Sequence, residues 1–459
     1  MYLQDTIAAI STPVGAGGIG IIRISGPDAV KVASALFRSA AFDPRAPQSH
    51  RLYYGTIVDP QGCSSIDEVL ITCMLAPRSY TREDVVEINC HSGVTVLQKI
   101  LGLVVRCGAR PAEPGEFTKR AFLNGRIDLA QAEAVIDIIE AKTEASLKIA
   151  SAQLHGRLSD TLHALRDELI DITAHVEAAI DFPEEDIDPA DARDMERRLI
   201  EITGKLQSLS ATYHEGKLYR LGVKTTIVGK PNVGKSSLLN ALLGEDRALV
   251  TPVPGTTRDV IQETISVRGI PLVLQDTAGL HAGSDEMEKL GMDLTRARLA
   301  EAELVLFVID GSRDIDERDR AIMAELAGRK IIAVINKDDL PPAVSREQVR
   351  QLFPGTAVSV SARNGSGLAR LKELIHHTVL MFPHDSSADS IITSARQRDA
   401  LDRTAVALSA AHQAVRNSRA PELIAVDLHA ALQALGEITG ETTAEDILER
   451  IFASFCIGK

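Results

Sequence analysis

The chain has no tryptophan, few cysteines and no long apolar run, and each absence excludes a class of protein. Without tryptophan there is no indole platform on which the bases of a nucleic acid could stack. The five cysteines form no C-x-x-C pair and no disulfide framework, which is typical of reduced cytosolic thiols. No apolar run reaches the length of a membrane span and no signal peptide precedes Asp5, so we expect a cytoplasmic protein.

Positive charge is also scarce. The 50 Lys and Arg residues are outnumbered by 63 Asp and Glu residues, which gives a formal net charge of −13. Nonspecific binding of nucleic acid needs a basic surface, so this composition disfavours it. A local basic site, or a partner that supplies the basic contacts, is still compatible with the composition.

The first part of the chain predicts a compact α/β or α+β domain over residues 1–118. Strand-like runs at 6–10, 19–24 and 69–73 alternate with amphipathic helices at 28–37 and 94–105. Residues 15–20 formally match the dinucleotide fingerprint G-x-G-x-x-G. Because a strand-like run follows instead of a helix, we interpret these glycines as a loop between two strands.

Helical patterns occupy two separate parts of the chain. After the boundary signal at 111–115 (PAEPG), apolar residues from Leu154 to Ile180 recur at spacings of three and four, which predicts one long helix. Residues 181–183 (DFP) should end it, since proline disfavours helix in the residue before it. A second helix is predicted over 191–209.

Helical character returns from about Ser394 to the end of the chain, where residues 443–446 (TAED) fit a capping box that opens the last helix. We therefore predict one helical domain built from residues 119–216 and 380–459, into which residues 217–379 are inserted.

The insert contains a phosphate-binding motif. Residues 229–236 (GKPNVGKS) fit G-x-x-x-x-G-K-[ST] between a strand-like run and a helix-like segment. The glycines let backbone N–H groups close around phosphate oxygens, and the helix N-terminus adds its positive end. Lys235 would reach the β- and γ-phosphates, and the hydroxyl of Ser236 would bind Mg²⁺. The motif predicts a nucleoside triphosphate site.

Two motifs at strand ends identify the nucleotide. Residues 276–279 (DTAG) follow a strand, where Asp276 suits an outer-sphere ligand of Mg²⁺ and the N–H of Gly279 can sense the γ-phosphate. After another strand, residues 336–339 (NKDD) fit N-K-x-D. The Asp339 carboxylate can accept two hydrogen bonds from guanine, which adenine cannot offer. Together with residues 361–363 (SAR) after the last strand, this order predicts a GTPase.

The group that positions the attacking water is less obvious. Thr257, in the switch I candidate GTTRD, would complete the Mg²⁺ shell when the γ-phosphate is present. Leu280 stands where Ras-like enzymes carry a water-orienting glutamine. The acidic stretch 284–288 could supply the missing group, although a solvated loop also fits its composition. Arg258 could act as an arginine finger in cis, or form a surface ion pair.

Along its whole length the chain resembles the tRNA-modifying GTPase MnmE (TrmE) family. The matching segments are 5–8 (DTIA), 17–26 (GGIGIIRISG), 114–118 (PGEFT), 120–126 (RAFLNGR), 176–183 (VEAAIDFP), 255–259 (GTTRD) and 455–459 (FCIGK). The resemblance implies a multidomain α/β protein with an N-terminal folate-binding domain that also dimerises the chain, an α-helical bundle domain and an inserted Ras-like P-loop G domain.

The resemblance also implies a reaction. The family works as a heterotetramer with an FAD-dependent MnmG (GidA) partner and modifies the wobble uridine (U34) of certain tRNAs. An aminomethyl or carboxymethylaminomethyl group is installed at C5, with the one-carbon unit carried by 5,10-methylenetetrahydrofolate, of which 5-formyltetrahydrofolate is an analogue. GTP hydrolysis drives a conformational change during this modification.

The resemblance assigns the nucleotide-contacting and catalytic positions. The GTP-binding positions are Asn232, Val233, Gly234, Lys235, Ser236, Ser237, Thr251, Thr256, Thr257, Asp276, Thr277, Ala278, Gly279, Asn336, Lys337, Asp339, Ser361, Ala362 and Arg363. The catalytic positions are Lys235, Thr257, Gly279 and Glu288, of which Glu288 falls at the family's water-orienting glutamate and fills the gap left at Leu280.

The resemblance further implies a K⁺ site and a folate site. Asn232, Thr256 and the backbone carbonyls of Thr251 and Val253 would hold K⁺ where an arginine finger would place its charge, once two G domains meet. The folate-contacting positions are Arg23, Glu87, Arg126 and Lys459, and Arg126 stands where a lysine is also seen. Cys456 is a candidate for covalent chemistry, or else part of an apolar C-terminal anchor with a free thiol.

Two other functions share these motifs. One is a ribosome-assembly GTPase of the Era or Der type, which acts as a GTP-gated RNA-binding factor. The other is a nucleotide-gated scaffold without a chemical role, in which the N-terminal domain only dimerises the chain. Binding of 5-formyltetrahydrofolate would separate both from the main hypothesis.

Overall fold

The computed structural model describes residues 5–62, 64–181, 189–246, 263–275, 299–352, 355–380 and 390–459. Within these ranges the chain forms two β-sheets and a bundle of long helices. This is the multidomain α/β architecture that the sequence predicts. Over the same ranges no helix is both long and apolar enough to cross a bilayer.

The first sheet is nearly all antiparallel. Its described strands are β1 (Ile7–Ile10), β2 (Gly17–Ser25), β3 (Phe37–Arg38), β4 (Arg51–Val58), β5 (Ser65–Met74), β6 (Val85–Ser92) and β7 (Arg110–Pro111), in the order β3-β4-β5-β6-β2-β1-β7. Helices α1 (Ala29–Leu36) and α2 (Val94–Arg106) bury their apolar sides, with Leu97 and Ile100, against this sheet. The predicted strands β1, β2 and β5 and both helices are confirmed, whereas β4 and β6 were not predicted.

The glycine-rich segment 15–20 runs into strand β2, which pairs with β6. The interpretation as a loop between two strands is therefore wrong for residues 17–20, although no helix follows and a dinucleotide loop is excluded as expected. A Cβ at Gly20 would lie 2.6 Å from Leu97 Cδ2. Glycine is needed here because helix α2 approaches the strand closely, not because a ligand does.

The next helices follow the sequence pattern with one break. They are α3 (Glu116–Leu123), α4 (Leu129–Glu140), α5 (Glu144–Leu154), α6 (Arg157–Asp181), α7 (Pro189–Ala211) and α8 (Tyr213–Leu221). The predicted long helix is confirmed as α6, but it begins at Arg157 instead of Leu154, because Gly156 adopts φ +87° and separates Leu154, the last residue of α5, from α6. The spacing from Leu154 to Leu158 is that of a helix face, so periodicity alone does not show the break. Helix α3 spans residue 118, the predicted domain boundary.

The inserted segment builds the second sheet. Its described elements are β8 (Val223–Val228), α9 (Lys235–Asp246), β9 (Glu263–Val267), β10 (Ile270–Gln275), β11 (Leu304–Asp310), α10 (Glu317–Glu325), β12 (Ile331–Asn336), α11 (Arg346–Leu352), β13 (Thr356–Ser359) and α12 (Leu368–Val379). The strand order is β13-β12-β11-β8-β10-β9, and only the β9–β10 pair is antiparallel. β11 and β12 are buried at every position, as expected for strands covered on both faces.

Three helices close the chain: α13 (Ala395–Arg416), α14 (Pro421–Thr439) and α15 (Glu445–Ala453). One hydrophobic core contains residues from both sides of the insert, such as Leu169 and Leu428. The predicted capping box of the last helix is wrong, because Ala444 is its N-cap residue. The hydroxyl of Thr443 instead donates to the Glu437 carbonyl at the end of α14, 3.0 Å away.

Candidate functional site

The loop between β8 and α9 is held tightly against neighbouring strands. Gly229 and Gly234 adopt φ +156° and +95°, and Asn232 adopts +65°. A Cβ would lie 2.3 Å from the Val308 carbonyl oxygen at Gly229, and 2.2 Å from Asn336 Nδ2 at Gly234. Both glycines are therefore required by close contacts as well as by their dihedral angles. The loop leads into the N-terminus of α9, a favourable place for an anion.

Lys235 is the first residue of α9, and its side chain reaches back across this loop. Its Nζ donates to the carbonyls of Gly229 and Lys230, both at 2.8 Å. Burial lowers the pKa of Lys235 below its ordinary value. Ser236 and Ser237, in the first turn of α9, are exposed to solvent. Backbone N–H groups, an ammonium and a hydroxyl are thus collected at one helix end, which fits the phosphates and Mg²⁺ of a nucleotide.

Asn336 connects three loops of the site. Its Nδ2 donates to the Val233 carbonyl at 2.9 Å, and its Oδ1 accepts from the backbone N–H of Ala362 at 3.0 Å. The side chain is buried, so the bonds form away from water. The phosphate loop and the loop after β13 are therefore fixed relative to β12.

Asp339 lies three residues further on and is held by one of these loops. Its Oδ1 accepts a hydrogen bond of 2.6 Å from Ser361 Oγ, which holds the pKa of the carboxyl below its ordinary value. The side chain is exposed. Lys337, which adopts φ +68°, reaches back to Asp310 at the end of β11, with 2.6 Å between Nζ and Oδ2.

These side chains surround a cavity of about 650 Å³, within the range of cofactor sites. It is lined by Gly234, Ser237, Asn240, Ala241, Asn336, Lys337, Asp339, Leu340, Ala362 and Arg363. The structure therefore brings the phosphate loop, the N-K-D-D segment and the S-A-R segment to one cavity. All three follow the carboxyl ends of parallel strands, where open α/β sheets bind ligands.

The remaining nucleotide, metal and catalytic assignments fall outside the described residues. They are Thr251, Val253, Thr256, Thr257, Arg258, Asp276, Thr277, Ala278, Gly279, Leu280 and Glu288. Strand β10 ends at Gln275, directly before Asp276. Among the described side chains, no group of three or more His, Cys, Asp and Glu could hold a metal ion.

A second group of predicted residues converges on Tyr80. Arg23 and Glu87 face each other across β2 and β6, and Arg23 Nη2 lies 2.8 Å from Glu87 Oε1. The guanidinium carbons of Arg23 and Arg126 lie 5.5 and 4.7 Å from the Tyr80 ring centroid. Both distances are within cation–π range. No sequence motif identifies Tyr80.

The C-terminal residues complete this second group. Ile457 pairs with Pro114, and Arg23 Nη1 donates to the Gly458 carbonyl at 3.3 Å. Burial, and to a smaller extent Arg23, lowers the pKa of Lys459. Tyr80, Arg126 and Lys459 line a cavity of about 420 Å³ whose remaining lining residues are mostly apolar: Ile127, Gln131, Val135, Ile138, Ile139, Leu154 and His155. A planar anion fits two cationic groups, an aromatic ring and an apolar wall.

The thiol of Cys456 is exposed, while Phe455 beside it is buried against Phe452, with 5.4 Å between the ring centroids. The apolar anchor of the C-terminus is therefore Phe455, and Cys456 contributes its carbonyl, which accepts from the Gly115 N–H at 3.4 Å.

Comparisons with known proteins agree over the whole chain. The family models described as "GTP-binding protein TrmE N-terminus" and "MnmE helical domain" match residues 6–126 and 129–456. The tRNA modification GTPase MnmE of Geobacter metallireducens is 51% identical over 465 residues, covering 100% of both chains. That of Geobacter sulfurreducens is 52% identical over 466 residues with the same coverage. The chain belongs to the MnmE family of tRNA modification GTPases.

The resemblance to the MnmE family that the sequence motifs indicated is thus confirmed. The solved G domain of the T. maritima FeoB iron transporter is also similar, at 29% identity over 34% of this chain and 98% of that one. The TM-score of that comparison is 0.27. Three sets of contacts in this MnmE-family chain were not predicted from the sequence. They are the contacts of Arg23 and Arg126 with the Tyr80 ring, the hydrogen bonds of Asn336 to two other loops, and the ion pairs of Lys230 with Asp316 and Asp319.

Proposed function

We propose that the protein is a cytoplasmic hydrolase acting on GTP that, with an FAD-dependent MnmG-type partner, modifies C5 of the tRNA wobble uridine. The shared cavity between the phosphate loop and Asp339 is the observation that carries GTP binding. Full-length similarity to proteins named tRNA modification GTPase MnmE supports the role in tRNA modification. The purified protein should hydrolyse GTP and leave ATP intact, and equal rates with both nucleotides would contradict the assignment.

The described residues support separate roles for the two sides of the site, one for the phosphates and one for the base. Backbone N–H groups of residues 232–236 and the ammonium of Lys235 would hold the phosphates, and Ser236 would bind Mg²⁺. Asn336, Lys337 and Asp339, with residues 361–363, would hold the base. Thr257, Asp276, Gly279 and Glu288 are assigned the switch and water-positioning roles by their place in the family pattern.

We further propose that K⁺ activates hydrolysis. Asn232 is exposed in the phosphate loop and would bind the ion together with Thr251, Val253 and Thr256 when two G domains of a homodimer meet. A cation there would stabilise the charge that develops on the transferred phosphoryl group.

GTP hydrolysis is expected to be about tenfold or more faster in KCl than in NaCl at equal ionic strength, because the proposed site is assigned to K⁺ and its charge would stabilise the transition state. Multiple-turnover phosphate release measures the effect. The variant Asn232→Ala should lose most of the K⁺ preference and keep its affinity for GDP. Equal wild-type rates in the two salts would exclude the cation site.

The second cavity supports folate binding. We propose that Arg126 and Lys459, which line the cavity, bind the anionic ends of a tetrahydrofolate together with Arg23, which contacts the ring of the lining residue Tyr80. Glu87 would orient Arg23 through their ion pair. This site would carry the one-carbon unit used in the modification.

Titration with 5-formyltetrahydrofolate should show binding to the wild type. The affinity should be about tenfold or more lower for Arg23→Ala, because the folate loses a cationic partner and Tyr80 loses the guanidinium that packs on its ring. Arg51→Ala is the matched control, because Arg51 also stacks on a tyrosine, Tyr53, at 5.4 Å. No binding to the wild type would instead favour a ribosome-assembly factor or a scaffold.

Contacts between the insert and the helices support the proposed coupling of hydrolysis to conformational change. Thr143 Oγ1 donates to the Gly269 carbonyl at 2.7 Å, and Ser146 Oγ donates to the Tyr219 carbonyl at 2.6 Å. Gly269 forms the turn before β10, and β10 ends directly before residues 276–279. A displacement of those residues could therefore reach helix α5 along a single strand.

The double variant Thr143→Val with Ser146→Ala should keep GTP hydrolysis within about twofold while tRNA modification falls at least about threefold, since coupling energies of this kind are modest. Thr203→Val is the control, because the one acceptor of its hydroxyl among the described residues is the Leu199 carbonyl, within α7. Parallel loss of both activities would indicate a folding defect and contradict a specific coupling role.

A further inference from the structure

Lys230, the second residue of the phosphate loop, is paired with two carboxylates of another element. Its Nζ lies 2.8 Å from Asp316 Oδ2 and 2.6 Å from Asp319 Oδ2. The Asp319 side chain is only 2% exposed and that of Lys230 19% exposed. The Lys230–Asp319 pair is therefore a largely buried one, in which removal of one partner leaves an uncompensated charge.

The two acceptors are fixed by the helix that carries them. Asp316 and Asp319 form the capping box at the N-terminus of α10, in which Asp316 Oδ1 accepts from the Arg318 and Asp319 N–H groups. The hydrogen bond from Lys230 is the main cause that lowers the pKa of Asp316 to about 2. Burial lowers the pKa of Lys230, but the hydrogen bonds that its ammonium donates to both carboxylates outweigh burial and raise that pKa.

On the loop side, the backbone of Lys230 takes part in the site itself. The carbonyls of Gly229 and Lys230 both accept from Lys235 Nζ, at 2.8 Å each. The Lys230 side chain thus connects this part of the loop to α10. The same part of the loop contains the two carbonyls that contact Lys235. The Lys230 ammonium is already paired with two carboxylates. We therefore expect it to hold the loop in position and not to contact a phosphate.

We propose that Lys230 is a positioning residue, whose ion pairs with Asp316 and Asp319 hold the first half of the phosphate loop in the shape that binds nucleotide. The inference rests on the proposed binding of GTP at this loop. When the pair is lost, a smaller fraction of molecules holds the loop in the binding shape, and the apparent dissociation constant rises by the inverse of that fraction. Chemistry in the bound complex is unaffected.

The variant Lys230→Met removes the ammonium and keeps the length of the side chain. We expect its dissociation constants for fluorescent GDP and GTP analogues both to rise about tenfold, with kcat at saturating GTP within about twofold of wild type. Lys230→Arg should restore binding. Lys224→Met is the matched control, because Lys224 lies on β8, the strand that leads into the loop, and forms an exposed pair with Glu301 at 3.1 Å. This variant should change neither quantity.

A double variant distinguishes positioning from a general loss of stability. Asp319→Asn added to Lys230→Met removes the unpaired buried carboxylate and leaves an amide able to cap α10, so nucleotide binding should recover in part. Unchanged affinity in Lys230→Met, a selective loss of kcat, or no recovery in the double variant would each overturn the proposal. Failure of the wild type to bind guanine nucleotides would instead overturn the proposed function.

Discussion

Replacing Asp339 by asparagine is expected to move the base preference of the protein from guanine to xanthine. The carboxylate can accept hydrogen bonds from guanine N1–H and from the 2-amino group, and Ser361 holds it in place at 2.6 Å. An asparagine amide cannot accept both, but its N–H can donate to the C2 carbonyl of xanthine. The loss of one hydrogen bond, and of the charge that strengthens the other, should weaken GDP binding about a hundredfold.

Fluorescence titration with GDP and XDP analogues measures this switch in base preference. Asp338→Asn is the matched control, because Asp338 is an exposed carboxylate one residue away that does not line the cavity. Wild-type GDP affinity in Asp339→Asn, or the same switch in Asp338→Asn, would remove Asp339 from base recognition. The result bears on the whole nucleotide site, since Asn336 and Ser361 connect Asp339 to the phosphate loop.

Replacing Glu288 by alanine is expected to stop GTP turnover while leaving GTP binding intact. Leu280 offers no polar group where Ras-like enzymes place a water-orienting glutamine. Removing the group that positions the attacking water should lower kcat by about 10²–10³.

Single-turnover phosphate release from a preformed complex separates this effect of Glu288→Ala from binding. Glu286→Ala, in the same acidic stretch, provides a control for charge and should retain turnover. Retained turnover in Glu288→Ala, or an equal loss in Glu286→Ala, would exclude Glu288 from the mechanism.

The sequence predicts those features that depend on neighbours along the chain. The phosphate loop, the N-K-D-D segment and the strands before them are recognisable because each motif is complete within about ten residues of chain. The break at Gly156 escapes prediction because it preserves the apolar spacing. Thr443 matches a capping pattern, yet its hydroxyl finds a better-placed acceptor at the end of the preceding helix.

Contacts between distant segments could not be predicted in the same way. Lys230 and Asp316 are 86 residues apart, and Asn336 and Val233 are 103 apart. These pairs meet only because the sheet order places β11 beside β8 and β12 beside β11. Tyr80 likewise has no local motif, and its role emerges only where Arg23 and Arg126 approach its ring. The family resemblance identified Arg23 and Arg126 but not the tyrosine ring that both of them contact.

Nucleoside analysis of tRNA addresses the proposed function most directly. In tRNA from a strain that lacks the gene, mass spectrometry should find wobble uridine without its aminomethyl or carboxymethylaminomethyl group at C5. The wild-type gene should restore the modified nucleoside, and the gene carrying Glu288→Ala should not. An unchanged wobble uridine in the strain without the gene would contradict a role in this modification.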